Sequence, residues 1–522
     1  MKSIINTFKY LAAAIVALSA LGCTAKFPGF NEDPHNASDE QMAVDNKYLV
    51  SLFKEMQRNV IPYKWGTDDD KNDGVYQNVV NLNGDIFAGY MNPTNWSGAR
   101  NDSYVMYDAW TAYMFTNKYT YVMAPFNSIK EFSVGKNIDE ALALANIVKI
   151  AAMHQVTDYY GPVPYSEAGS LTAAYDPQDV IYTSFLNELD EAITVLENTS
   201  ATEVLADADI VYQGNVAQWL KFANSLRLRL AIRIAYANPT LAKTEAEKSV
   251  ASGVIEANVD NAEVRYDPNY EHHPLSEIVK FNQGDTAIGA TLDSYMNGYA
   301  DPRRAAYMTT GSDGNYHGIL SGLQPASWTN YNRAGGKVSL PKGENCKIVW
   351  MNAAEVAFLR AEGALRGWNM GGTAQNLYNS GITLSFEQWG VSGASNYIAS
   401  NATPANFADV NNANNKNATS TISIAWSGNN TETNLERIIT QKWLALYPNG
   451  VEAWAEQRRT GYPKVFDPVK NDSGGVISNS LKPRRLPYPI SEQTTNASGY
   501  ASGVAALGGQ DNGATKLWWD KK

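Results

Sequence analysis

Val356-Ala357-Phe358-Leu359-Arg360-Ala361-Glu362-Gly363-Ala364, followed shortly by Ala374-Gln375-Asn376-Leu377-Tyr378-Asn379-Ser380-Gly381-Ile382, is the stretch that decides the fold class. Val356, Leu359, Arg360, Gly363 and Ala364 fall at helical spacing, as do Ala374, Tyr378 and Ile382. Ala361, Gly363, Ala364 and Ala374 are small and sit where two helices would approach closely. The reading is one helix–turn–helix unit.

Working outward, the same period recurs. Leu144, Ile147, Val148, Ala151 and Ala152 share one helical face, and the pattern should stop at Tyr160-Gly161-Pro162. Phe185, Leu189, Ile193 and Leu196 mark another helix, and Leu435, Ile438, Ile439, Trp443 and Leu446 a further one. Trp219, Phe222, Ala223, Leu226 and Leu230 mark a helix that also carries Leu220, Leu228 and Ile232, so it should be buried on more than one side. Near the start, Ser38 with Gln41 reads as a capping box opening a helix through Leu49, Phe53 and Met56. The spacing Ala374…Tyr378…Gly381 resembles the second helix of a tetratricopeptide repeat. The expected fold is mostly α: stacked tetratricopeptide-like helix pairs with long irregular insertions at 62–103, 260–345 and 388–434, the last an exposed loop.

The first 22 residues have a different character. Lys2 and Lys9 precede an apolar run from Leu11 to Leu21, which ends in Leu18-Ser19-Ala20-Leu21-Gly22-Cys23. That is the pattern of a lipoprotein signal, cleaved before a cysteine that takes a diacylglycerol. Residues 1–22 are therefore expected to leave, with 23–522 forming a single domain on a lipid tether at Cys23. Only two cysteines exist, so an acylated Cys23 leaves Cys346 without a partner. Cys346 is expected to be a buried small apolar residue.

The chain carries a net charge of −11 and no Lys/Arg-rich run, which excludes a nucleic-acid partner. Tyr (30) and Trp (13) together far outnumber Phe (15), and many lie among Asn, Gly and Pro where a half-wet aromatic surface is expected. His35, His154, His272, His273 and His317 form no zinc motif. Asp68-Asp69-Asp70-Lys71-Asn72-Asp73-Gly74 is an imperfect calcium loop: its Gly comes one place late, and position twelve is Val79 rather than Glu. A solvated acidic turn is expected there, with a structural calcium ion the alternative; no other cofactor is implied. No Gly-x-Ser-x-Gly elbow or Walker loop occurs, and no carboxylate pair stands out as a catalytic pair.

Asp158-Tyr159-Tyr160-Gly161-Pro162-Val163-Pro164-Tyr165 reads as a rigid corner. Arg458, Arg459, Arg484 and Arg485 read as partners of carboxylates that lock the C-terminal segments to the helices. Together with Asn31-Glu32-Asp33-Pro34, Trp219-Leu220-Lys221-Phe222-Ala223-Asn224-Ser225-Leu226-Arg227, Arg458-Arg459-Thr460-Gly461-Tyr462-Pro463 and Trp518-Trp519, these stretches resemble the SusD/RagB family of nutrient-binding outer-membrane lipoproteins of Bacteroidetes. They occur in the family's order over nearly the whole mature chain. The resemblance implies four tetratricopeptide-like helix pairs, a lipid-anchored, surface-exposed position, and a SusC-like TonB-dependent transporter that receives oligosaccharides or peptides.

A sugar or peptide needs aromatic faces flanked by polar side chains on loops. Two stretches supply them. One runs from Tyr90 through Asn95 and Trp96 to Arg100; the other is Trp328-Thr329-Asn330-Tyr331-Asn332-Arg333, with Tyr270 as a third wall. The candidate ligand residues are Tyr90, Asn95, Trp96, Arg100, Tyr270, Trp328, Asn330 and Tyr331. The leading expectation is a non-enzymatic binding protein for oligosaccharides. Its alternatives are a peptide-binding member of the family, an α-helical surface glycoside hydrolase, and a helical scaffold that holds no small ligand.

Overall fold

The computed structural model describes residues 47–63, 71–94, 100–266, 271–281, 285–324, 331, 336–428 and 430–522. The chain divides into two units, Met1–Ser51 and Leu52–Lys522. Of the first, only the opening residues of helix α1 (Lys47–Arg58) are described. The predicted start of that helix at Ser38, like Cys23 and the signal segment, lies outside the described residues.

The second unit is built on helix pairs. Helix α2 (Asp139–Tyr160) packs on α3 (Gln178–Asn198), and α4 (Val216–Arg233) on α5 (Pro239–Ser252). Helix α6 (Ala353–Leu365) packs on α7 (Ala374–Gln388), and α8 (Thr431–Leu446) on α9 (Gly450–Thr460). Successive pairs touch through α3 with α4, α4 with α6, and α6 with α8. This stacking is the mostly α, tetratricopeptide-like scaffold that the periodicity predicts.

Local chemistry sets the helix limits. Asn215, Asn352, Thr373, Asn430 and Asn449 each cap a helix by accepting a hydrogen bond from the backbone N–H three residues on. Helix α2 stops where Gly161 takes φ 89°, a conformation closed to most side chains, with Pro162 next. The tight approach of α6 and α7 is seen at Gly381, a residue beyond the expected Ala361, Gly363, Ala364 and Ala374, while a Cβ on Gly363 would meet Met370 of the connecting turn. A Cβ on Gly381 would lie 2.7 Å from the Phe358 ring, so only glycine admits this approach. Helix α4 is buried on several faces, with Leu226, Leu228, Leu230 and Ile232 all inaccessible.

Three expectations need correction. Residues 62–103 are not simply loop. Lys71–Tyr76 is helical and runs into a segment with wider, π-type turns over Gln77–Asp85, whose Val79, Val80 and Leu82 are buried. Apolar residues there are interleaved with Asn and Gly, which hides the helical period. The 260–345 insertion holds short helices and two strands that close small two-stranded sheets. Ala262–Glu263 (β2) pairs with Val349–Met351 (β4), and Thr286–Ile288 (β3) with Met91–Pro93 (β1). The 388–434 segment holds one short helix, Ala394–Ile398, between the ends of α7 and α8 and is otherwise irregular, yet Phe407, Ile422 and Ile424 are buried, so it lies partly on the body. Cys346 is buried as expected, and burial pushes its thiol pKa up. None of the described helices is long and apolar enough to cross a membrane.

Candidate ligand-binding site

The two predicted loops grow from neighbouring stems. Met91–Pro93 (β1) pairs antiparallel with Thr286–Ile288 (β3), Met91 opposite Ile288 and Pro93 opposite Thr286. Thr94 N–H donates to the Asp285 carbonyl at 3.1 Å, and Asn92 Nδ2 donates to the Ile319 carbonyl at 2.8 Å. On the far side of the first loop, Arg100 Nη2 donates to the Leu323 carbonyl, and Asp102 Oδ2 accepts from Gly322 N–H at 2.7 Å. Residues 94, 100 and 323, which border the two loops, are thus tied to one small sheet. The sequence shows no pairing of 91–93 with 286–288 because only three residues per strand are involved.

The candidate residues fare differently. Tyr90 is a core residue: it has no exposed surface, its ring stacks on Trp443 at 5.2 Å, and its hydroxyl donates to the Trp443 carbonyl. A ligand cannot reach it, so its assignment to the site is corrected. Arg100 is buried as well, with Nε 3.0 Å from Asp102 Oδ1, and it serves as a clamp between loop stems. Tyr331 is 5% exposed and packs with Ala287, Ile319, Leu323 and Val338 at the base of the second loop. Asn95, Trp96, Tyr270, Trp328 and Asn330 lie outside the described residues. The acidic turn at 68–74 is described only from residue 71, where Asp73 is buried with its Oδ2 3.3 Å from His272 Nε2. Among the described residues no group of three or more His, Cys, Asp or Glu side chains is placed to hold a metal.

A shallow groove of about 210 Å³ runs beside Tyr331, lined by Thr309–Ser312 with Gly336, Val338 and Leu340. Hydroxyls and backbone groups dominate it, which suits a hydroxylated ligand. Beneath the loop stems, burial raises the Asp102 carboxyl to about 6 although Arg100 pulls it down. Removing Arg100 would leave that carboxylate buried and unpaired. Arg100→Met is expected to lower stability by about 3 kcal/mol, read by urea unfolding, and to weaken ligand binding by loosening both loops at once. Unchanged stability would show that Arg100 is no clamp.

The profile of the SusD-like family, described as SusD and RagB outer membrane lipoprotein, matches residues 29–520. The chain belongs to the SusD-like family. Solved structures of SusD homologues superpose closely. A chitin-binding SusD homologue from Flavobacterium johnsoniae is 40% identical, with a TM-score of 0.85, and the match covers 91% of this chain and 99% of that one. A SusD homologue from Bacteroides uniformis is 39% identical at TM-score 0.84, covering 92% and 100%. One from Bacteroides vulgatus is 32% identical at TM-score 0.85, covering 92% and 99%. No curated protein matches the chain. The family's own description supports an outer-membrane location for this SusD-like chain.

Proposed function

We propose that this SusD-like protein is anchored through acylated Cys23 and faces outward from the cell. In this reading it captures nutrient oligosaccharides without cleaving them and passes them to a SusC-like TonB-dependent transporter. The observation that carries the cargo class is the 40% identity, over nearly the full length, to a chitin-binding homologue. It favours a polymer of N-acetylated sugars. The described borders of the two loops are joined, Arg100 to Leu323 and Asp102 to Gly322, which supports a site built from the segments that carry Trp96 and Trp328, with the hydroxyl-lined groove at Thr309–Ser312 as a neighbouring surface.

Affinity electrophoresis and calorimetry against chitin oligosaccharides, other glycans and peptides test this reading. Chitin oligosaccharides are expected to bind. Trp96→Ala and Trp328→Ala should each weaken binding by about 2 kcal/mol, roughly 30-fold, the size of an aromatic hot spot. Binding of peptides alone would replace the glycan reading, and turnover of any polysaccharide would replace the binding-protein reading. Co-purification with a large outer-membrane barrel after gentle detergent extraction tests the transporter partner.

A further inference from the structure

The helical run that precedes α2, over residues 108–133, exposes a side of unusual composition. Ala109, Tyr113, Thr116, Thr120 and Ala124 are exposed at steps of four, three, four and four residues, which places them along one side of the run. Two further segments lie against it and widen this face. Ile490 N–H donates to Asp108 Oδ1 at 3.0 Å, and Asn127 Nδ2 donates to the Ala168 carbonyl at 2.7 Å. Asn496, which caps the helix Ala497–Leu507, donates from Nδ2 to the Ala173 carbonyl at 2.9 Å. The three segments are therefore joined to one another.

Their surface is nearly free of charge. Over residues 107–129, 168–175 and 488–507 the charged side chains are Asp108, Lys118 and Glu492, about a third of what a chain with 18% charged residues would place there. All three are committed to internal bonds. Asp108 accepts from the Ile490 N–H, and Glu492 accepts from the Tyr175 hydroxyl at 2.6 Å. Lys118 is buried and donates to the Val60 carbonyl at 3.0 Å.

Large apolar side chains gather where the charges are missing. Ten are exposed among the described residues, and five of these lie here: Tyr107, Tyr113, Tyr121, Leu171 and Ile490. Tyr113 and Tyr121 are 42% and 43% exposed, and their rings and hydroxyls have no partner among the described residues. Leu171 is 89% exposed and Ile490 61%. At about 150–250 Å² for a large side chain, the five expose roughly 500 Å², the size of the largest and often functional patch on a monomer. The exposed Ala, Ser and Thr residues between them bring the face to the roughly 800 Å² that each partner gives to a stable interface.

The composition defines the partner. A charge-depleted centre bearing tyrosines is what a protein–protein interface buries. With no free cation on it, the face has nothing to hold a phosphate or an anionic headgroup. A second copy would bring another net charge of −11 against this one, with no opposite charge on the face to offset the repulsion. A neutral surface on a different protein meets both conditions. We propose that this face docks against neutral extracellular loops of the transporter barrel. The barrel as partner rests on the reading above; the position of the contact and its neutral chemistry rest on the face alone.

Detergent extraction of the tagged, full-length lipoprotein from its own outer membrane tests this, with the co-purifying proteins identified by mass spectrometry. Tyr113→Lys and Leu171→Lys each set a charge in the face without touching a core contact. Val259→Lys, 79% exposed near the start of α4, is the control. The parent and Val259→Lys should both recover a TonB-dependent barrel. Tyr113→Lys and Leu171→Lys should each lower its recovery about tenfold, the effect of one interface hot spot, with unchanged melting curves and unchanged glycan affinity. Equal recovery by both face variants would overturn the docking surface and leave the transporter reading standing. A parent that recovers no barrel would overturn that reading and the docking proposal with it. A parent that sediments as a dimer, separated by Tyr113→Lys, would give the face to a second copy instead.

Discussion

Trp519→Ala is expected to lower the unfolding free energy by about 4 kcal/mol, within the range for emptying a fully buried aromatic site. Trp519 has no exposed surface. Its indole N–H donates to Asp158 Oδ1 at 2.8 Å, and its ring lies 5.0 Å from the Arg458 guanidinium and 5.6 Å from that of Arg233. Through these contacts the last residues of the chain are fixed to the end of α2 and to α4 and α9. Arg484 adds a bidentate pair to neighbouring Asp520, at 2.7 and 2.5 Å. The substitution therefore removes packing, a hydrogen bond and two cation–π contacts together. Urea unfolding measures the loss. Trp519→Phe, which keeps most of the ring, should cost far less. A loss below about 1 kcal/mol for alanine would mean that the terminal segment is not part of the folded core.

Glu456→Ala should cost about 3–5 kcal/mol, because it breaks a buried ionic network from the inside. Glu456 Oε2 is 2.7 Å from Arg459 and 3.1 Å from Lys442, and Oε1 pairs with Arg233. Arg459 is also held bidentately by Glu362 at 2.7 and 2.6 Å, and Arg233 by Glu452 at 2.5 Å. All these side chains are buried. Alanine would leave cations from α4, α8 and α9 without one of their counter-charges, whereas glutamine retains the volume and some hydrogen bonds and should cost less.

The same network predicts an acid limit. Burial by itself would raise the Glu456 carboxyl, but Arg459, Lys442 and Arg233 outweigh it and hold the group well below the ordinary carboxylate range. For Glu452, burial is outweighed by Arg233, Arg229 and Lys442, which bring it to about 2 against an ordinary value of 4.5. A carboxyl depressed in the folded state contributes stability that is fully present above its unfolded pKa and lost as pH falls through the folded one. Stability should therefore hold down to about pH 4.5 and fall toward about pH 2, and Glu456→Ala should flatten that fall. A variant as acid-sensitive as the parent would remove Glu456 from the network.

Helix α9 shows why part of this could not be read from the sequence. Gly450-Val451-Glu452-Ala453-Trp454-Ala455-Glu456-Gln457-Arg458-Arg459-Thr460 looks like a half-solvated helix, yet every residue of it is buried. Its charges are neutralised by Arg229 and Arg233 from α4, Glu362 from α6 and Lys442 from α8. The expectation that Arg459, Arg484 and Arg485 meet carboxylates holds. Arg458 differs: it donates to the carbonyls of Asp158 and Arg484 at 2.6 and 2.8 Å, the backbone supplying what a carboxylate was expected to. In the candidate site the aromatic loops were legible as composition. The core position of Tyr90 and the clamp made by Arg100 were not, since an aromatic or an arginine looks the same in a pocket and in a core.

What the sequence by itself determined is the helical framework and the family. A period of 3.6 with caps and glycine stops is a local property, and it placed α2, α3, α4, α6, α7 and α8. The ordered motifs placed the chain among SusD-like proteins. What only the tertiary structure decided is which polar residues go inside. Burial of a charge depends on partners that are distant in the chain, such as Arg233 with Glu456 or Arg229 with Glu355.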